Sequence, residues 1–406
     1  MDLRPLFRRD FRLLYAAQAV SFLGTMVTYV ALPWQMYTLT RSTFLVGLLG
    51  VVELVPLLLT AFVGGALADW MDRRRLVIAT EIGLMAGCLT LMANAARPSP
   101  SVAVLFVSAA LMSALSGLQK PSLEAMAPRL VPPEEIPAMA ALTAFRGSVG
   151  MIAGPAIGGL LISSVGLSAT YAIDVVSYMV ALACLVAMAP VPSPEGLDRP
   201  SLSATREGLR YASSRQELVG TYVVDFLAMV FGMPLALFPA ISDRFGGPSV
   251  LGWLYAAPAA GALAASLGGR LASRVKRQGV GVMAAATAWG LAIVAFGLCD
   301  TLWPALVWLA VAGCADAVSG IFRITMWHGS IPDALRGRLA AIEMISYMSG
   351  PLLGHAEAGA VAALAGVQAS IVSGGVLCVI GVIACGLALP RFRRYDARTS
   401  VPTPPC

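Results

Sequence analysis

A set of ionisable residues lies inside or at the rims of long apolar runs: Glu53, Lys120, Glu124, Arg146, Asp174, Asp225, Asp316, Arg323 and Glu343, with His328, His355 and Glu357 nearer the ends. A charged side chain at the middle of a bilayer costs about 2.5 to 3.5 kcal/mol on insertion scales, so such a residue is expected to face a partner or an aqueous cavity. An acid that releases its proton on one side of a membrane and regains it on the other couples a proton gradient to solute movement. Glu53, Arg146, Asp174 and Asp225 are the first choices for that role, and Arg323 joins them in a coupling or substrate-cavity set. The alternative for each is a static ion pair or a helix-end charge. Lys120 and Glu124 stand four apart on one helix face, where a structural pair is the expectation. The two histidines have no cysteine or second histidine at ligand spacing, so no metal site is expected.

The elements that position these charges are read from composition. Hydrophobic residues make up 58% of the 406 residues and charged ones 12%, where soluble domains carry roughly 25% charge, and the mean hydropathy is +0.79. Apolar stretches of about 20 residues, the length that crosses a bilayer as a helix, fall near 12–38, 44–67, 77–95, 102–126, 137–163 and 166–189. A second set falls near 217–241, 249–269, 280–299, 302–327, 339–364 and 367–389. Backbone polar groups cannot stay unpaired in lipid, so these stretches are expected to be helices. With the N-terminus in the cytoplasm, 22 of the 28 Lys and Arg fall in inside segments, three in outside loops (Arg41, Arg97, Arg244) and three within spans. Twelve spans with both termini cytoplasmic satisfy the positive-inside rule.

Several function classes are thereby excluded or disfavoured. The net charge of +6 is explained by basic loops beside anionic lipid, so no nucleic-acid partner is expected. No cleavable signal peptide is expected after the basic start Arg8-Arg9-Asp10-Phe11-Arg12. The seven cysteines read as small packing residues. No nucleophile with a nearby base and no phosphate-cradling loop is evident, so the chain is not expected to be an enzyme and no cofactor is implied.

The chain is also written twice. Ser116-Gly117 returns as Ser319-Gly320, Lys120 as Arg323, Gly154-Pro155 as Gly350-Pro351, and Gly64-Gly65-Ala66-Leu67-Ala68 as Gly268-Gly269-Arg270-Leu271-Ala272, at offsets of 203, 203, 196 and 204 residues. In a polytopic membrane protein, duplicated halves imply a transporter with its substrate site between them. The expected division is 1–189, a cytoplasmic linker 190–216, 217–390 and a tail 391–406. Within the linker, Ser201 to Arg215 is expected to form an amphipathic surface helix with Leu202, Leu209 and Tyr211 towards lipid.

Between the second and third stretches stands Gly64-Gly65-Ala66-Leu67-Ala68-Asp69-Trp70-Met71-Asp72-Arg73-Arg74-Arg75. It resembles the signature of the major facilitator superfamily, Gly-x-Leu-Ala-Asp-Arg-x-Gly-Arg-Arg. Gly65, Leu67, Ala68, Asp69, Arg73 and Arg74 match, whereas Trp70 and Asp72 replace an arginine and a glycine. The resemblance implies that Gly65, Asp69, Arg73 and Arg74 latch one conformation. The fifth stretch carries Gly150, Gly154, Pro155, Gly158 and Gly159. It resembles the glycine-proline motif of the superfamily's antiporters, in which a flat stripe lets helices approach and move against each other. The stretches Val30 to Gln35, Arg146 to Val149, Gly252 to Pro258 and Ile331 to Arg338 are similar to a bacterial exporter branch of the superfamily.

The resemblance implies an all-α integral membrane fold of twelve transmembrane helices in two pseudo-symmetric six-helix bundles. It also implies a monomer in the bacterial cytoplasmic membrane that exports a small organic molecule, a siderophore, drug or secondary metabolite, by proton antiport with alternating access. A uniporter or importer of a small metabolite is the first alternative, and a non-transporting membrane enzyme or sensor the last. The arginine that the superfamily carries three residues before the fourth-helix glycine is replaced by Ala114.

Overall fold

The computed structural model describes residues 2–70, 72–191, 210–267, 275–331 and 336–396, with the side chains of 62–70, 336–338 and 340–346 outside the description. No strand occurs among the described residues. The helices are α1 (Arg9–Thr40), α2 (Thr43–Trp70), α3 (Arg73–Ala95), α4 (Val102–Met126) and α5 (Ile136–Ala187), then α6 (Gln216–Phe231), α7 (Phe238–Phe245) and α8 (Pro248–Leu267). They continue as α9 (Gln278–Gly297), α10 (Leu302–Ser330), α11 (Arg336–Ala365), α12 (Val367–Ala388) and the short α13 (Pro390–Arg393). Nine helical segments among the described residues are long and apolar enough to cross a membrane. One of these contains α5, whose Gly166 has φ +81° and divides it into arms 136–165 and 167–187. Each arm exceeds the roughly 20 residues that a crossing needs, a pattern compatible with the expected twelve spans.

Local chemistry explains where helices end. Asp72 caps α3 by accepting from the Arg74 backbone N–H at 2.9 Å. The Asn94 side chain closes the α3–α4 connection in both directions, accepting from the Ser101 N–H at 2.8 Å and donating to the Ser101 carbonyl at 3.1 Å. Gly166 and Gly366 occupy left-handed φ (+81° and +92°) between successive spans, a backbone that glycine adopts at no steric cost. The seventh apolar stretch departs from the continuous 217–241 helix that its hydropathy suggests. α6 stops at Phe231 and a 3₁₀ turn covers Leu235–Leu237, because Pro234 has no N–H to donate and disfavours helical backbone at Met233.

The chain divides into two compact units: Met1–Leu45, Val51–Arg199 and Pro239–Ala256 in the first, and Val46–Gly50, Pro200–Phe238 and Ala257–Cys406 in the second. In the first, α1 and α3 pack along α5, and α3 along α4. In the second, α9 packs on α10 and α12, and α6 on α11 and α12. The sequence repeat reappears as repeated contacts. A Cβ added at Gly154 would run into Met26 of α1, and one at Gly158 would meet the Val27 backbone at 3.2 Å. In the second unit a Cβ at Gly350 would meet Met229 of α6 at 2.8 Å, and one at Gly354 would meet Val230. Small residues thus bring the same two helices together in each unit, the usual device for close packing in lipid.

Tyr211 is not directed at lipid as its place in an amphipathic linker helix suggests. It is 8% exposed, packs with Leu218 and Ile331, and donates its hydroxyl to the Ser330 carbonyl at 2.9 Å. A buried phenol with a hydrogen-bond acceptor gains both apolar burial and a satisfied polar tip. Leu202 and Leu209 lie outside the described residues.

Candidate functional site

The first unit buries two carboxylates among neutral donors. Asp174, on the second arm of α5, is 0% exposed, and Glu81, on α3, is 3% exposed. Asp174 accepts from the Thr28 hydroxyl, from Ser177 Oγ at 2.9 Å and from Cys88 Sγ at 3.6 Å. Glu81 accepts from Ser21 Oγ at 2.6 Å and from Gln119 Nε2 at 2.5 Å. Among the described residues, no cation lies within ion-pair distance of either acid. α1 supplies two of the donors, Ser21 and Thr28; with Gln35 they recur every seventh residue and therefore lie on one helix face. Gln35 accepts from the Tyr171 hydroxyl at 2.9 Å, and Thr25 shares a hydrogen bond with Tyr178 at 3.2 Å. Gly24 makes this possible, because a Cβ there would overlap Asp174 and Ser177.

Glu81, Ser21, Thr28 and Gln119 were not singled out by sequence reasoning. Glu81 sits eight residues into a helix that opens with three arginines and so resembles a helix-end charge. The heptad Ser21, Thr28, Gln35 within an apolar run was the available signal. Arg146 stands one turn further along, donating Nη1 to Gln18 Oε1. Glu53, on α2, makes no side-chain hydrogen bond with a described residue, while its backbone carbonyl accepts from Ser113 Oγ at 2.7 Å. The Tyr255 ring, within reach of the Glu53 charge, stands edge-on to Tyr29 with centroids 5.6 Å apart.

The second unit handles charge differently. Arg323 of α10 forms an ion pair with Asp225 of α6, and its other nitrogen lies 3.7 Å from Asp316, about two turns earlier on the same face of α10. The Arg323 and Asp225 side chains are 19% and 17% exposed, and Asp316 is 37% exposed. A guanidinium between two carboxylates offsets the desolvation that would make either acid alone expensive. The structure therefore joins Asp225 and Arg323 in one cluster of the second unit, whereas Asp174 belongs to the network of the first.

In the expected latch, Asp69 and Gly65 fall in the part of α2 whose side chains are outside the description, and the second copy at 268–274 lies outside the described residues. Arg73 is 5% exposed and donates Nη1 to the Ala125 carbonyl at 3.3 Å. Arg74 donates Nε and Nη2 to the Leu185 and Val186 carbonyls at 2.7 and 2.5 Å. Cations on the last carbonyls of a helix are favourably placed with respect to its dipole, so these two arginines tie the start of α3 to the ends of α4 and α5. In the glycine-proline motif, Gly150, Gly154 and Gly158 face Phe22, Met26 and Val27 of α1. Gly159 faces Pro248 and Gly252, whose segment belongs to the same unit, and Gly252 in turn lies against the carbonyl of Pro155.

A helical, polytopic protein with two internally repeated units and charged side chains set within the spans of each has the organisation of a membrane transporter of the duplicated kind. The family model described as transmembrane secretion effector matches residues 2–405. The chain belongs to that family, within the major facilitator superfamily and its bacterial exporter branch. It is 28% identical over 388 residues to the Enterobactin exporter EntS of Shigella boydii serotype 4 (strain Sb227), covering 95% of this chain and 93% of that one. Among solved structures it is similar to a point mutant of the nucleoside transporter NupG, with a TM-score of 0.77 and 14% identity over 94% of this chain and 99% of that one. The inward-facing, unoccupied bacterial homologue of the human lysosomal transporter Spinster gives a TM-score of 0.75 and 16% identity over 95% and 98%. At these identities the two structures define the fold. The chain is accordingly a multi-pass membrane transporter of a small molecule, not an enzyme.

Proposed function

We propose that this transporter exports a small organic molecule of the siderophore class from the cytoplasm in exchange for protons, working as a monomer in the bacterial cytoplasmic membrane with both termini inside. The lengthwise similarity to enterobactin exporters supports the direction and substrate class. The single observation that carries the coupling is Asp174, fully buried and held, among the described residues, by hydroxyl and thiol donors. A carboxylate in that setting changes its interaction with the protein whenever it gains or loses a proton, which is the property that coupling requires. Alternating access would come from rearrangement of the two repeats. Asp69, Arg73 and Arg74 are assigned the latch, and the Gly150 to Gly159 stripe the sliding surface. Glu53 and Arg146 are assigned a coupling or substrate-contacting role, and Asp225 and Arg323 a substrate-contacting one.

The test uses inverted membrane vesicles and enterobactin as probe. An imposed proton gradient, acidic inside, is expected to drive enterobactin accumulation, and Asp174→Asn to abolish it while leaving downhill exchange. No gradient-driven movement of enterobactin or of a panel of other siderophores and drugs would overturn the exporter reading. Gradient-driven uptake into right-side-out vesicles would establish an importer instead.

A further inference from the structure

Two hydroxyls, those of Thr25 and Tyr178, stand between the levels of the two buried acids and hydrogen-bond to each other. Measured along α1, the Ser21 level of Glu81 and the Thr28 level of Asp174 are seven residues apart, roughly 10 Å at about 1.5 Å per residue. Thr25 lies between them, hydrogen-bonded to Tyr178, and the Tyr178 hydroxyl lies within electrostatic reach of both carboxylates. Tyr178 is itself fully buried and sits four residues after Asp174, on the same face of its helix arm. The Asp174 end of the chain is sealed: Thr28, Cys88, Tyr171 and Tyr178 are all 5% exposed or less. The Glu81 end is less enclosed, because its two donors, Ser21 and Gln119, are only half-buried.

We propose that Glu81 and Asp174 are two stations of one proton pathway inside the first unit, bridged by the hydroxyls of Thr25 and Tyr178. This rests on the proton-antiport reading above. A proton arriving at one carboxylate is passed on as each hydroxyl accepts a proton on a lone pair and donates its own, so one proton leaves from the other carboxylate and every bridging residue is restored. The titratable groups facing the pathway are Glu81 and Cys88 from α3, and Tyr171, Asp174 and Tyr178 from α5. α1 contributes the neutral donors Ser21, Thr25 and Thr28, and α4 the neutral Gln119. Arg146 donates to Gln18, beyond the Glu81 end. On this proposal the two acids titrate as a coupled pair.

Two measurements on the full-length protein test the pathway. In proteoliposomes carrying a trapped pH dye, enterobactin added as probe is expected to release a linked proton flux in the wild type. Glu81→Gln is expected to lose that flux and to retain downhill enterobactin exchange, and Tyr178→Phe, which keeps the ring and removes the bridge, to slow it severalfold. Glu81→Gln with wild-type proton flux overturns the proposal. The second measurement needs no substrate: infrared titration of the detergent-solubilised chain follows the protonated-carboxyl bands. Glu81→Gln is expected to remove one band and to displace the pH midpoint of the Asp174 band, assigned by its loss in Asp174→Asn. A midpoint that stays in place overturns the coupled pathway. If the wild type moves no protons with enterobactin, the antiport reading fails by itself, and the infrared result still decides whether the two acids form one pathway.

Discussion

The two units share a scaffold and differ in how they carry charge. Gly154 and Gly158 against Met26 and Val27 repeat as Gly350 and Gly354 against Met229 and Val230, and turn glycines at 166 and 366 serve each unit alike. At the level where Thr28 meets Asp174 in the first unit, the second presents Phe231 against Gly374, whose missing side chain lets backbone approach backbone. Asp174 and Glu81 of the first unit are held by hydroxyl, thiol and amide donors. Asp225 and Asp316 of the second are held by a guanidinium. A donor-held acid can take up a proton and keep most of its hydrogen bonds, because hydroxyls turn to accept as well as donate. An arginine-held acid loses its main partner on protonation. Duplication thus conserves packing, and divergence separates a protonatable network from a fixed ion cluster.

The comparison is sharpest where one partner is removed. Arg323→Met should leave Asp225 and Asp316 uncompensated, and a thermal unfolding assay in detergent should register a loss of about 3 kcal/mol. Arg323→Met with Asp225→Asn should recover part of that loss. Next come the glycines. Gly154→Leu and Gly350→Leu each overfill the same kind of contact and should each cost about 1 to 3 kcal/mol, with the two values close to each other; a large effect at one and none at the other would break the equivalence of the scaffolds. Asp174→Asn should be nearly neutral in the same assay, within about 1 kcal/mol, because Thr28 and Ser177 can bond an amide as well as a carboxylate. A loss as large as that of Arg323→Met would mean that Asp174 has a structural counter-charge. The smallest effect belongs to Arg41 and Asp243, 2.6 Å apart but 61% and 41% exposed. Asp243→Asn should cost no more than about 1 kcal/mol, declining further in salt.

Most of the fold can be read from the sequence because a bilayer imposes one rule, an apolar run long enough to cross. α4 begins and ends where its apolar run does. α6 is the instructive failure: hydropathy continues through Met233 and Pro234, but backbone chemistry does not, and the helix stops at Phe231. Charges within apolar runs identified Asp174, Asp225 and Arg323 as residues worth following, and their cost in lipid is the reason they stand out. That Asp225 meets Arg323 while Asp174 meets Thr28 depends on which helices adjoin, which residue type alone does not disclose. Glu81 was hidden by the three arginines before it, and Tyr211 by an amphipathic pattern that suits a buried helix as well as a lipid-facing one. The polar heptad on α1 was legible in principle, as a periodicity in hydroxyl and amide residues against an apolar background.

The most direct measurement of the division between the units is enterobactin-linked proton flux in proteoliposomes for Asp174→Asn and Asp225→Asn, compared at equal amounts of folded protein. The predicted result is that Asp174→Asn moves enterobactin downhill without protons, whereas Asp225→Asn, where it folds, keeps the protons and the substrate linked. Proton flux preserved in Asp174→Asn and lost in Asp225→Asn would contradict it and place the coupling in the second unit.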